Sequence, residues 1–208
     1  MTDPPARPHS IAGAVLAGGL SSRMGRPKEG ILLPDGRPMI EWVLDAFRCT
    51  FQQVFIVGAC TGYEWTDDQH FIQITDRRPG HGPLSGLEAL LSSDAAEGYV
   101  VAACDQPLLT PSILRHLGQG AAGRPRLFRA HERGQSLGPL PGYYPAWLGE
   151  RVQQAIGEGR LAFRQLLSYE EVDWLSVADL EEARLASVNT PEDLAGFCAS
   201  VEGRNRLA

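Results

Sequence analysis

The segment AVLAGGLSSRMGRPKEGILL, residues 14–33, places a loop rich in glycine and positive charge directly after an apolar run. The run begins at residue 11 and is continuously apolar, as expected of a parallel strand covered on both faces. Gly18, Gly19 and Gly25 let the backbone approach a ligand, and successive N–H groups can then point at one anion. Arg23 adds a planar fork for phosphate oxygens, and Lys28 adds a mobile point charge. The segment predicts a buried strand followed by a phosphate-binding loop; a solvated loop with a chance cluster of charge is the alternative.

Two common glycine motifs do not describe this loop. The P-loop needs G-x-x-x-x-G-K-[ST], but here Arg26 follows Gly25 and Glu29 follows Lys28. The dinucleotide fingerprint G-x-G-x-x-G fails because the first two glycines are adjacent. A phosphate site in this loop is therefore of a third kind.

The composition bounds the class of protein. Of the 208 residues, 43% are hydrophobic and 21% are charged, which allows a substantial core and is unlike a disordered chain. The formal net charge of -6 argues against broad binding to nucleic acid and still permits a local nucleotide pocket. The four cysteines form no CxxC pair and have no zinc spacing, so we interpret them as reduced thiols, several of them in the core.

The chain shows no targeting or membrane signal. Residues 1–10, MTDPPARPHS, lack the apolar stretch of a signal peptide and are interpreted as a disordered lead-in. No apolar run approaches about 18 residues, so we expect no membrane partner and a cytoplasmic protein.

Strand and helix patterns alternate along the first half, which predicts an α/β fold with a three-layer, mostly parallel sheet. Strands are predicted at 11–19, 53–59, 71–75 and 98–104, and helices at 38–47, 83–93 and 110–117. The second half is less regular. Its patterns indicate strands at 124–132, 139–145 and 171–177, and helices at 146–156, 161–167 and 189–201, the last capped by Asn189 or Thr190.

Three stretches resemble one enzyme family. LAGGLSSRMGRPK, residues 16–28, resembles L-A-[GA]-G-x-S-x-R-M-G-x-x-K, the signature loop of nucleotidyltransferases that act on small phosphorylated acceptors. ITDRRPGHGPLSGLEALL, residues 74–91, and VVAACDQPLLTPSILRHL, residues 100–117, are similar to the acidic segment and the C-D-x-P segment of the MobA-type molybdenum cofactor guanylyltransferases. Weaker late motifs carry the likeness over roughly residues 11–198.

The sequence at the start of this loop bears on which nucleotide base the protein binds. The guanylyltransferases read LAGG at the strand end, and their cytidylyltransferase relatives tend to read LAAG. This chain reads Gly18-Gly19, the guanylyl form. We take Gly19 to argue for guanine, because an absent Cβ leaves room for a purine.

The resemblance implies a Rossmann-like nucleotidyltransferase fold and a reaction. One domain, residues 11–200, is expected, with a nucleotide-binding half at 11–120 and an acceptor-binding half at 121–200. GMP passes from GTP to the phosphate of a molybdopterin cofactor, pyrophosphate leaves, and Mg²⁺ assists. The partners implied are GTP, the molybdopterin acceptor, and molybdoenzymes or their chaperones, with no nucleic acid.

The resemblance also assigns residues. The backbone N–H groups of residues 17–22 cradle the phosphates, and Asp105 holds the metal. The implied catalytic residues are Arg23, Lys28 and Asp105. The implied nucleotide-binding residues are Leu16, Ala17, Gly18, Gly19, Ser21, Ser22, Lys28, Asp76 and Asp105. Two alternatives remain: Asp105 as a helix or turn cap, and Asp76 as a surface ion pair with the arginines that follow it.

The chain departs from the family pattern at two positions. Gly58 stands where the family often has asparagine, and Gly138 where it often has a polar residue before proline. Transfer of CMP, transfer to another small phosphorylated acceptor, and a non-catalytic nucleotide-binding regulatory module therefore remain open.

Several other side chains in and near the second half have two interpretations each. Four arginines could hold the acceptor phosphate or be solvated, and four aromatic residues could belong to the core or to the acceptor pocket. They are Arg124, Arg126, Arg129 and Arg133, and Tyr143, Tyr144, Trp147 and Trp174. Of the histidines, His81 alone lies near a candidate site.

Overall fold

The computed structural model describes eight ranges of the chain. They are 11–18, 24–64, 69–76, 82–119, 123–130, 136–167, 172–178 and 182–205.

A seven-stranded sheet runs through the described residues. Its strands are β1 (Ile11–Leu16), β2 (Val54–Val57), β3 (Phe71–Ile74), β4 (Gly98–Ala103), β5 (Arg126–Ala130), β6 (Gly142–Pro145) and β7 (Asp173–Val177). The spatial order is β3-β2-β1-β4-β6-β5-β7. All neighbouring pairs are parallel except the two that involve β6. The predicted mostly parallel sheet is confirmed, and Asp173–Val177, within the strand predicted at 171–177, forms one of its two edge strands.

Helices lie on both faces of this sheet. They are α1 (Met39–Arg48), α2 (Pro83–Leu91), α3 (Pro111–Gly118), α4 (Gly149–Gly157), α5 (Phe163–Leu167) and α6 (Pro191–Asn205), with 3₁₀ turns at Ala146–Leu148 and Ala183–Leu185. Across the described stretches, no helix has both the length and the apolar character needed to cross a membrane.

Strand β1 is buried on both faces, as its unbroken apolar run predicts. Val15 packs in a cluster with residues of α1 and α3. Its neighbours Ala14 and Leu16 point the other way, into a cluster with residues of α2, α4 and α5. Because strand side chains alternate between faces, one strand serves both cores and the fold has three layers.

The C-terminal helix closes over the segment that follows the glycine loop. Phe197 of α6 packs with Ile31, Leu33 and Met39 in a third apolar cluster. Its ring meets that of Trp42 edge to face, with centroids 5.6 Å apart. This packing brings the segment before α6 close to Lys28, which matters for the site.

Candidate functional site

The order of the strands reverses at β1, which pairs with β2 on one side and β4 on the other. In open α/β sheets, ligands bind outside the carboxyl ends of the strands at such a switch point. Leu16 is in register with Ala103, and the N–H of Cys104 donates to the Leu16 carbonyl at 3.0 Å. The loop after β1 and the turn after β4 therefore start side by side.

Three side chains from distant parts of the chain meet at this edge. Lys28 Nζ donates to Asp105 Oδ2 at 2.8 Å and to Asn189 Oδ1 at 2.7 Å. The lysine and aspartate side chains are 17% and 12% exposed, so their ion pair is largely shielded from water. The structure thus brings together two of the three predicted catalytic residues.

The carboxylate of Asp105 keeps one oxygen unused. Oδ1 is buried and has no hydrogen-bond partner among the described residues. Asp105 does not cap α3, because the Thr110 hydroxyl accepts from the N–H of Ile113 and takes that role. An orphaned anionic oxygen at a ligand-binding edge favours the metal interpretation over the cap.

The donor set fits Mg²⁺ better than a metal caged by protein. In the described stretches, no group of three or more His, Cys, Asp or Glu residues could hold a metal ion. Mg²⁺ is usually held by one or two carboxylates, with phosphates and water completing its shell. Asp105 offers one carboxylate beside a predicted phosphate loop, which matches that requirement.

Asp76 lies at the same edge, two residues after β3. Its Oδ1 is buried without a hydrogen-bond partner among the described residues, and burial raises the pKa of this carboxyl above its ordinary value of 3.8. A Cβ on Gly86 of α2 would lie 3.2 Å from that oxygen, so the glycine lets the carboxylate rest against the helix. The alternative partners Arg77 and Arg78 lie outside the described residues.

Two rim loops approach each other backbone to backbone. Gly18 has φ of 86°, and a Cβ there would lie 2.3 Å from the Ala59 carbonyl oxygen. Gly58 has φ of 107°, and a Cβ there would lie 2.1 Å from the Ala17 carbonyl oxygen. An asparagine at position 58 would not fit this backbone. The packing of the two loops therefore explains why glycine stands here in place of the family's asparagine.

This geometry changes the argument about the base. LAGG and LAAG differ at the position of Gly18, so assigning the base preference to Gly19 is wrong. The missing side chain at Gly18 is already required by the close approach of Ala59, whatever base is bound. Room for a purine is therefore not what this glycine by itself indicates.

One part of the predicted phosphate cradle is also wrong. The N–H of Ala17 donates to the Val57 carbonyl at 2.8 Å and so extends the sheet, as Leu16 does through its carbonyl. The cradle can begin only after Ala17. Of the other predicted positions, Gly19, Ser21, Ser22 and Arg23 lie outside the described residues, as do His81 and Arg133.

The basic cluster does not act as one group. Arg126 bonds Asp173 of β7 at 2.7 Å and donates to carbonyls at the end of α3, among them those of Leu117 and Gln119. It lies level with Val100, early in β4, far from the ligand-binding edge. Arg126 is therefore a structural residue, neither solvated nor placed for a phosphate. Arg129 is exposed near the carboxyl end of β5 and keeps the acceptor interpretation.

The aromatic residues separate in the same way. Tyr143 and Tyr144 are 3% and 0% exposed and belong to the core. Trp147 is 46% exposed but follows Pro145, which pairs with the first residue of β4, so it lies at the edge opposite the site. Trp174 is 38% exposed on β7, but it pairs with Leu127 and so lies only one position nearer the ligand-binding edge than Arg126; its place in an acceptor pocket stays a prediction.

The cysteines offer no nucleophile to the site. Cys104 alone is buried in the core, while Cys49 is exposed, which corrects the expectation of several core thiols. Burial raises the pKa of Cys60 to about 12 and raises that of Cys104 as well. These thiols stay protonated near neutral pH, which suits a reaction without a covalent intermediate.

The sequence did not assign Asn189 to the site. The structure gives the cap of α6 to Thr190, whose hydroxyl accepts from the N–H of Asp193 at 3.1 Å. Asp193 Oδ2 accepts in return from the N–H groups of Asn189 and Thr190, both at 2.9 Å. The asparagine side chain is thereby released to hold Lys28. The sequence did carry a signal for this role. Asn189 and Thr190 are adjacent and either could cap α6, but the helix needs only one cap, so the other side chain is available for a different contact.

Comparison with known proteins agrees with this geometry. A family model described as the MobA-like NTP transferase domain matches residues 13–174. A probable molybdenum cofactor guanylyltransferase of Pelotomaculum thermopropionicum is 32% identical over 190 residues, which cover 88% of this chain and 89% of the relative.

Solved structures share the fold. Molybdopterin-guanine dinucleotide biosynthesis protein A from Archaeoglobus fulgidus superposes with a TM-score of 0.71 at 28% identity, covering 91% of this chain and 99% of that chain. A 2-C-methyl-D-erythritol 4-phosphate cytidylyltransferase from Thermus thermophilus superposes with a TM-score of 0.66 at 18% identity, covering 91% and 98%. The second likeness concerns the fold alone. The predicted three-layer, Rossmann-like nucleotidyltransferase fold is confirmed.

Proposed function

Because this chain belongs to the MobA-like NTP transferase family and is a nucleotidyltransferase, we propose that it transfers GMP from GTP to the phosphate of a molybdopterin. The product is a molybdopterin guanine dinucleotide, and pyrophosphate leaves. The observation that carries the proposal is the meeting of Lys28 with Asp105, whose second oxygen is orphaned, at the switch point of the sheet. The names of the relatives support the choice of nucleotide and acceptor.

The reaction is one displacement at phosphorus. An oxygen of the acceptor phosphate forms a bond to the α-phosphorus of GTP. The bond from that phosphorus to the oxygen bridging it to the β-phosphate breaks, and its electron pair leaves with pyrophosphate. The protein contributes positioning and charge stabilisation, and no side-chain nucleophile is needed.

Lys28 changes partner during binding. Its ammonium forms an ion pair with Asp105 in the structure. When the triphosphate binds, the ammonium turns to the phosphate oxygens and, with Arg23, stabilises the charge that develops on the leaving pyrophosphate. The carboxylate of Asp105 would then be available to hold Mg²⁺, which when bound would neutralise and orient the phosphates.

The remaining predicted contacts place the nucleoside. Asp76, at the end of β3, contacts the base or the ribose, and the backbone of Leu16, Ala17 and Gly18 forms the floor beneath it. Gly19, Ser21 and Ser22 contact the phosphates. The acceptor lies toward the later strands, where Arg129 is exposed at the same edge of the sheet.

The test is product formation from purified protein, molybdopterin and Mg²⁺ with GTP or with CTP, detected by mass spectrometry and by pyrophosphate release. We expect the guanine dinucleotide, and Asp105→Asn to lower the rate by at least about 10²-fold. Asp173→Asn, which alters a carboxylate on β7 paired with Arg126, is the matched control and should retain the rate.

The outcomes separate the alternatives. A cytosine dinucleotide as the main product would make the protein a cytidylyltransferase with the same machinery. Tight GTP binding without pyrophosphate release, in the presence of acceptor, would favour a regulatory nucleotide-binding module. If Asp105→Asn reacts as fast as Asp173→Asn, Asp105 has no role in the reaction.

A further inference from the structure

The side chain of Gln106 is buried directly after Asp105 and makes three hydrogen bonds. It is 1% exposed. Its Oε1 accepts from the N–H of Ala103 at 3.1 Å, and its Nε2 donates to the carbonyl oxygens of Leu140 and Leu185 at 3.1 Å and 2.9 Å. Both amide hydrogens and the amide oxygen are thus used, which fixes one orientation of the side chain.

The three partners belong to separate parts of the fold. Ala103 is the last residue of β4, Leu140 precedes β6, and Leu185 ends the 3₁₀ turn before α6. The two acceptor carbonyls lie 34 and 79 positions further along the chain. One amide therefore ties the end of β4 to two segments of the second half.

Asp105 itself is attached mainly through its backbone. Its carbonyl accepts from the N–H of Val188 at 2.8 Å, while its carboxylate contacts Lys28 alone among the described residues through Oδ2. The lysine contact is lost when the ammonium moves to the phosphates. The direction of the carboxylate then depends on the turn of residues 103–107, whose shape Gln106 fixes from both sides.

We propose that Gln106 is a positioning residue that aims the Asp105 carboxylate at the bound metal and fastens that carboxylate to the second half of the chain. The inference rests on the proposed function, because it takes Asp105 as the metal ligand. A metal-binding carboxylate must be held to a fraction of an ångström, and such placement comes from hydrogen bonds behind the ligand. Gln106 has the burial and the complete bonding that this role requires.

The test compares Gln106→Met with wild type. Methionine has nearly the same length and shape, but it cannot replace the two donated hydrogens. Mn²⁺ binding is measured by electron paramagnetic resonance in the presence of a non-hydrolysable GTP analogue. We expect the metal affinity of this complex to fall by about 10- to 100-fold. Affinity for the analogue without metal should stay within about twofold, because the phosphate loop is untouched.

A control removes the effect of lost stability. Val152 of α4 is fully buried in the core on the face of the sheet that carries α2 and α5, and Val152→Ala leaves a cavity there. It should lower the melting temperature and leave the metal affinity of the complex at the wild-type value. If Gln106→Met does not fold, Gln106→Asn, which keeps an amide but is one methylene shorter, carries the same expectation.

The outcomes distinguish this inference from the proposed function. If Gln106→Met binds the metal as tightly as the wild type does, and the wild-type protein turns over GTP, the positioning role is overturned and the proposed function is supported. An equal loss of affinity in Val152→Ala also overturns it, because Gln106 would then only stabilise the fold. A wild-type protein that binds no Mn²⁺ with the GTP analogue overturns both.

Discussion

Lys28 Nζ lies 2.8 Å from Asp105 Oδ2, so the cation that follows the glycine loop and the anion of the turn after β4 neutralise each other. Both side chains are largely shielded from water. In such a shielded place an unpaired charge is costly. In the proposed reaction, a bound triphosphate and its metal would give each group a new partner of opposite charge. The pair would then link the arrival of nucleotide to the release of the Asp105 carboxylate.

Removing the lysine should raise the affinity of the free protein for a divalent metal. We expect Lys28→Met to bind Mn²⁺ about tenfold more tightly without nucleotide, a change of about 1.4 kcal/mol. The same variant should be slow in GMP transfer. Titration followed by electron paramagnetic resonance measures the first effect. Arg151→Met, the same charge change in α4, is the control, and an equal gain there would show a general charge effect only.

Two adjacent residues should have separate effects, Thr190 on stability and Asn189 on the rate. Thr190→Ala removes the cap of α6 and should lower the free energy of unfolding by about 1 kcal/mol. Asn189→Ala leaves the cap in place and removes the second partner of Lys28. Its kcat/KM for GTP should fall by about tenfold, because small misplacements of charged groups are costly to the reaction. Urea unfolding and steady-state rates on both variants check this, and a rate loss in Thr190→Ala alone would contradict it.

Gly58 should not tolerate a side chain. A Cβ there meets the Ala17 carbonyl oxygen, and the dihedral is left-handed, so Gly58→Ala should cost about 3 kcal/mol or more. Gly36 is the matched control: its φ is 81°, but nothing lies within 4 Å of a Cβ there. Gly36→Ala should cost only about 1–2 kcal/mol. Equal losses in chemical unfolding would mean that the loops part without strain.

The charged carboxylate of Asp76 should lower the free energy of unfolding near neutral pH. Burial raises its pKa in the folded state, so the folded protein binds that proton more tightly than the unfolded chain does. The stability that this group contributes is present at low pH and is lost as the pH rises through its folded-state pKa. Asp76→Asn should therefore raise the melting temperature near neutral pH and weaken GTP binding.

The pH dependence checks the cause. The gain in melting temperature of Asp76→Asn over wild type should shrink as the pH falls toward the ordinary aspartate value of 3.8, where the wild-type carboxyl is protonated. Calorimetry at both pH values measures it. A gain that is constant with pH would mean that the charge of Asp76 is not what destabilises the fold.

The order and type of the elements could be predicted because their signals are local. The apolar run of β1 and the Thr110-Pro111 start of α3 lie within a few residues of the structures they specify. Neither interpretation of Arg126 was right, because its ion-pair partner Asp173 is 47 positions later in the chain. A cluster of charge in the sequence does not say which members point together.

The order of amino acids alone specifies an α/β fold with a positive glycine loop after its first strand and an aspartate after its fourth, since periodicity and turn chemistry are properties of neighbouring residues. The packing of the folded chain is what brings Lys28 to Asp105 and Asn189, which lie 77 and 161 positions away. It likewise decided that Gly18 and Gly58 are required by each other's loops. Such contacts depend on which strands lie side by side and in what register, and packing of the whole chain sets both.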